Sequence, residues 1–102
     1  PIIKGFDLAG STPLILFNEP MLISTGANSA IRYNFFYPRW AYDDYRPALA
    51  GEAASRGWHY LDLWDLVPES EFTNSAIHLT PAGEQLLADR LAEILQGVLG
   101  CP

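Results

Sequence analysis

The sequence predicts an α/β fold in which a parallel sheet is flanked by helices, and three observations carry that prediction. Residues 12–17, T-P-L-I-L-F, are a compact apolar run with no alternation, the pattern of a strand buried on both faces. Residues 58–64, W-H-Y-L-D-L-W, read as a second strand rich in aromatic side chains. A helical pattern lies between them and another follows, and a strand-helix-strand unit of this kind normally closes as a right-handed parallel crossover.

The elements justify themselves in chain order. Ile2, Ile3, Phe6 and Leu8 fit the tail of a helix or an irregular lead-in, broken at Gly10-Ser11. The first strand stops at Asn18-Glu19-Pro20, and polar residues at the carboxyl end of such a strand lie where open α/β sheets bind ligands. Asn18 and Glu19 are therefore candidate pocket residues. Residues 21–37 read as a long ordered loop with a short strand near Ile31 to Phe36. Its aromatic cluster of Tyr33, Phe35, Phe36 and Tyr37 reads first as a cover for the edge of the core, ahead of a stacking role toward a ligand.

Pro38 opens the next segment, but Pro47 falls inside the helical pattern. Proline lacks the amide hydrogen that an interior helical residue donates. The expectation is a short turn, then a helix from about Arg46 to Arg56, stopped by Gly57 at the C′ position. Asp43-Asp44 reads as a solvated turn near that helix start, where negative charge is favourable. Residues 66–71 lead through Pro68 into a polar loop that carries His78.

Thr80 is a good N-cap and Pro81 suits the first helical position, so the last helix should begin at about Ala82, with His78 just outside its mouth. Leu86, Leu87, Leu91, Ile94, Leu95 and Val98 recur at helical spacing along it, with Gly97 and Gly100 fraying its end.

Composition narrows the function classes. With 102 residues the chain is one domain, and with 49% hydrophobic residues it has the means to build a core. Twelve acidic residues against six basic ones give a net charge of −6, and no basic run occurs, which argues against nucleic acid or an anionic membrane surface as partner. No apolar run approaches the roughly 20 residues needed to cross a bilayer. Cys101 is the sole cysteine, so no disulfide forms within these residues and no thiolate metal site can be built. Two widely separated histidines, His59 and His78, offer no paired-ligand spacing, and neither a metal nor a cofactor is expected. His59 reads as structural, and Asp62 and Asp65 as caps at a strand end.

A lone histidine before a capped helix suits a general base. His78-Leu79-Thr80-Pro81-Ala82-Gly83 ahead of an amphipathic C-terminal helix resembles the last conserved block of SGNH hydrolases, the GDSL-type esterases. Tyr60-Leu61-Asp62-Leu63-Trp64 is similar to the strand preceding that block, and Asn18-Glu19-Pro20 resembles the end of an earlier core strand in some members. The resemblance runs from about Thr12 to the end of the chain. It implies a three-layer, flavodoxin-like fold and hydrolysis of a small-molecule or carbohydrate ester, as in carboxylesterases, lipase-like enzymes and O-acetyl esterases. His78 would take the proton from a nucleophilic serine.

The chain departs from that pattern in two places. The carboxylate expected three residues before the histidine is replaced by Ser75, with Asn74 one residue earlier, so these two are the candidates for orienting the imidazole. No Gly-Asp-Ser occurs, and Gly10-Ser11 precedes the first strand instead of following it. The expectation is that residues 1–102 are the C-terminal portion of a longer SGNH-like domain whose serine and oxyanion hole lie elsewhere. Such a portion would self-associate or pair with the missing half. The alternative is a non-catalytic carbohydrate- or protein-binding module on the same scaffold.

Overall fold

The computed structural model describes residues 1–100; Cys101 and Pro102 lie outside the described residues. The chain is mixed α/β: α1 (Ile2–Ala9), β1 (Ile15–Asn18), α2 (Arg39–Arg56), β2 (His59–Asp62), a 3-10 turn (Glu69–Glu71) and α3 (Pro81–Leu99). β1 and β2 pair in parallel with Ile15 opposite His59 and Asn18 opposite Asp62, so the predicted crossover through α2 is present. The sheet has these two strands only among the described residues.

That small sheet changes what the apolar strand means. In the paired register Leu16, Asn18, Tyr60 and Asp62 share one face, because side chains alternate across a strand. α2 covers this face: Tyr42 bonds Asn18, and Arg46 bonds Asp62. The other face carries Ile15, Phe17, His59 and Leu61, with Phe17 36% exposed and His59 exposed. The expected burial of β1 on both faces is corrected accordingly, and His59 packs into no core. Strand β1 also starts at Ile15 instead of Thr12.

The predicted break before Arg46 is absent, and α2 runs unbroken from Arg39 to Arg56 with Pro47 inside it. Proline at 47 denies the Asp43 carbonyl its helical donor. Asp43, Asp44 and Pro47 are all exposed, so water can take that carbonyl. Tyr42 and Ala53, both buried, anchor the helix on either side of the proline. Asp43 and Asp44 thus lie on the solvent side of a helix and not in a turn, and Asp43 accepts the Tyr33 hydroxyl. Gly57 stops α2 in the left-handed conformation at φ 69°, as the sequence predicts.

No strand forms near Ile31 to Phe36; the loop makes one antiparallel bridge, Arg32 to Pro38. Its organiser is Asn34, only 3% exposed. The Asn34 amide donates to the Leu22 carbonyl at 2.8 Å, and its oxygen accepts from the amides of Phe36 (2.9 Å) and Tyr37 (3.2 Å). A buried amide with these partners satisfied fixes a loop that has no ladder of its own. The core centres on Met21, Tyr33 and Tyr42, with Ile23, Tyr37 and Trp64 around them. The aromatic cluster therefore divides: Tyr33 is buried, whereas Phe35 and Phe36 are 85% and 72% exposed and cover no core edge. Phe6 of α1 stacks on Trp58 at 4.1 Å, which ties the N-terminal helix to the start of β2.

α3 begins where the sequence places it. Thr80 is the N-cap, its hydroxyl oxygen accepting from the Gly83 amide at 3.1 Å, and Pro81 opens the first turn. The expected fraying at Gly97 does not occur, since the helix continues to Leu99 and closes on Gly100 at φ 67°. Only Gly83 of α3 is buried; Leu86, Leu95, Val98 and Leu99 all stay exposed. The radius of gyration is 15.3 Å, against about 13 Å for a compact chain near this length. The excess matches an apolar helix face and sheet edges left open. No helix is long and apolar enough to cross a membrane among the described residues.

Candidate functional site

The carboxyl ends of β1 and β2 are joined by side chains as well as by backbone. Asn18 closes β1 and Asp62 closes β2; the Asn18 amide donates to Asp62 Oδ1 at 3.1 Å and to the Tyr42 hydroxyl at 2.8 Å. Asp62 Oδ2 accepts from Arg46 Nε at 2.9 Å, and the Arg46 guanidinium lies 4.0 Å over the Trp64 ring. Both charged groups are about three-quarters buried, so the pair is held by geometry more firmly than an exposed one. Asp62 therefore links strand to strand and sheet to helix. Asp65, two residues beyond Leu63, is exposed.

Above these strand ends lies a cleft of about 480 Å³. Asn18 and Glu19 line it from β1, Tyr42 and Tyr45 from α2, and Phe36 and Tyr37 from the loop. Burial raises the Tyr42 phenol above its ordinary range; the Asn18 hydrogen bond opposes that rise and the Asp62 charge adds to it. Tyr45 is raised by burial and by the neighbouring Tyr37 and Asp62. These rings stay neutral across the physiological range.

The loop that carries His78 closes one side of the same cleft, where Ile77 forms part of the wall. Its backbone is pinned: Phe72 and Leu79 form an antiparallel bridge, and the Thr73 amide donates to the His78 carbonyl at 2.9 Å. Ser75 Oγ accepts from the amides of Ile77 (3.3 Å) and His78 (3.0 Å), a local turn that serine side chains favour. Asn74 is exposed, and its oxygen accepts from the Thr73 hydroxyl at 3.4 Å. Ser75 thus shapes the backbone leading to His78, and Asn74 bonds Thr73; the imidazole itself is exposed and bonds neither residue.

Among the described residues no three His, Cys, Asp or Glu side chains come together as a metal-ligand set. The structure brings Asn18, Glu19 and Ile77 of the His78 loop to one cleft, whose lining does not include Asn74, Ser75 or His78. Sequence reasoning missed Tyr42, Tyr45 and Arg46. Their signal was present as the i, i+3, i+4 spacing of 42, 45 and 46, but placing the helix start at Arg46 put the first two in a turn. Comparison with protein-family models, with curated proteins and with solved structures found no match.

Proposed function

We propose that residues 1–102 carry the general-base half of an SGNH-type ester hydrolase, within a three-layer flavodoxin-like fold completed by further polypeptide. The observation that supports this reading is a cleft at the carboxyl ends of parallel strands with Ile77, the residue before the exposed His78, in its wall. Open α/β sheets bind their ligands at that end. In the reaction, His78 accepts the proton of a serine hydroxyl as the oxygen attacks the ester carbonyl, then gives it to the departing alkoxide. Water repeats the sequence on the acyl-enzyme and releases the acid. Asn74 and Ser75 stand where the expected carboxylate would be and add no charge, so the reading is of a serine-histidine pair.

The serine belongs outside these residues, since no Gly-Asp-Ser is present. Isolated, the chain is expected to hydrolyse no nitrophenyl acetate through a serine. In the protein that includes the serine, His78→Ala is expected to lower kcat/KM by at least about 10²-fold, the usual contribution of a positioned base. Turnover unchanged by that substitution would sink the reading. The open edges of the two-stranded sheet and the exposed leucines of α3 suit the same proposal, because a parallel sheet is ordinarily covered on both faces. The chain should therefore associate, with a second copy or with the missing half. A monodisperse monomer by light scattering that binds no apolar dye would exclude this.

The second reading, a non-catalytic binding module, is favoured by the aromatic walls around Asn18 and Glu19. Ligand binding by a protein whose His78→Ala variant loses nothing would select it.

A further inference from the structure

Four of the side chains lining the cleft, Phe36, Tyr37, Tyr42 and Tyr45, are aromatic. The rings of Tyr37 and Tyr42 lie 5.1 Å apart and 56° from coplanar, and those of Tyr42 and Tyr45 lie 5.7 Å apart at 43°. Phe36 adds a further wall. The charges present also discriminate. No lysine, arginine or histidine lines the cleft, and Glu19 is its only lining residue with an ionisable carboxylate. Glu19 is exposed and makes no ion pair among the described residues. Two arginines follow lining residues in the chain, and both are committed elsewhere: Arg46 to Asp62 and the face of Trp64, Arg39 to the Ser29 carbonyl and the face of Tyr33. A ligand carboxylate or phosphate would meet negative charge and ring faces of the same sign. A cation meets both favourably, because the ring quadrupole presents its negative face.

We infer that this cleft binds a compact organic cation of the quaternary ammonium class, held against the accessible aromatic side chains Phe36, Tyr37 and Tyr45 with Glu19 as counter-charge. About 480 Å³ exceeds what a trimethylammonium group fills, so the remainder accommodates the rest of the ligand. The inference goes beyond the hydrolase reading and is independent of it, since none of these groups is asked to move a proton.

The test is equilibrium binding without turnover, using choline chloride against its neutral isostere, 3,3-dimethylbutanol, on the whole protein. Choline is expected to bind about tenfold more tightly than the isostere, with its N-methyl proton resonance shifted upfield by the ring currents. Glu19→Gln, at an exposed position that leaves packing intact, should weaken choline about fivefold and leave the isostere unchanged. Tyr45→Leu, checked for folding by circular dichroism, should reduce the upfield shift. Co-sedimentation with phosphatidylcholine vesicles would assign the cation to a lipid headgroup. Choline binding without co-sedimentation would assign it to a free small molecule, and either result upholds the site. Equal binding of choline and the isostere, no choline binding, or no effect of Glu19→Gln overturns it.

Discussion

Gly83→Val is expected to destabilise the fold by about 2–3 kcal/mol and to lower the thermal midpoint by roughly 10–20 °C, while Gly83→Ala stays within about 1 kcal/mol of the parent. The reason is a close approach at the start of α3. A Cβ on residue 83 would lie 3.0 Å from the Glu71 carbonyl oxygen, 3.1 Å from Glu71 Cβ and 3.2 Å from Leu79 Cβ. The Glu71 carbonyl cannot retreat freely, because it accepts the Thr80 amide at 2.8 Å, and the Glu71 carboxylate also takes the Thr80 hydroxyl. Alanine needs a shift of a few tenths of an ångström and gains up to about 1 kcal/mol of helix propensity, so the two effects nearly cancel. Valine adds two further carbons to a space already filled, in a helix that disfavours β-branching. The glycine in His-Leu-Thr-Pro-Ala-Gly thus has a physical role: it lets the helix mouth sit against the 3-10 turn and hold the His78 loop between them. Circular dichroism melts of the three proteins decide the matter; a valine variant melting with the parent would mean that the contact does not exist in solution.

What could be read from the sequence follows the range of the interactions concerned. Thr80, Pro81 and Gly57 act within a few residues of themselves, through a cap, a missing amide hydrogen and a positive φ, and the two helix boundaries they mark appear as expected. The parallel pairing of two apolar segments joined through a helix also followed from local pattern. Pro47 misled because the cost of a proline depends on whether the carbonyl it strands can reach water, which is a property of the folded surface. Residues 21–37 were beyond local reasoning for a related cause. Their conformation depends on Asn34 reaching Leu22, twelve residues earlier, and on Tyr33 meeting Asp43 in a helix not yet placed. At the site, Asn18 and Glu19 were legible as the polar carboxyl end of an apolar strand. The Asn18–Asp62–Arg46 linkage was not, since it needs the strand register and the unbroken α2 together.

The largest pH effect is expected in alkali, and Tyr60 carries it. Its hydroxyl is buried with no hydrogen-bond partner, and burial, with the Asp62 charge adding to it, pushes the phenol from 10.0 up to about 12. Below pH 10 the group is protonated whether the chain is folded or not, and contributes no pH dependence. Between about 10 and 12 the unfolded chain releases this proton while the folded protein keeps it. Unfolding then gains progressively, and stability falls as pH rises until the folded phenol itself ionises. The loss attributable to Tyr60 is on the order of 2 kcal/mol. Tyr42 and Tyr33, raised chiefly by burial, act in the same direction. Tyr60→Phe removes both the stranded hydroxyl and the titration, so it should stabilise the protein by about 1 kcal/mol at neutral pH and flatten the alkaline decline. Urea unfolding followed from neutral pH to about 12, with ultraviolet titration of the phenolates alongside, measures both effects. A Tyr60→Phe variant less stable at neutral pH, with the same alkaline slope, would show that the hydroxyl has a partner in solution and that the decline comes from the tyrosines packed against α2.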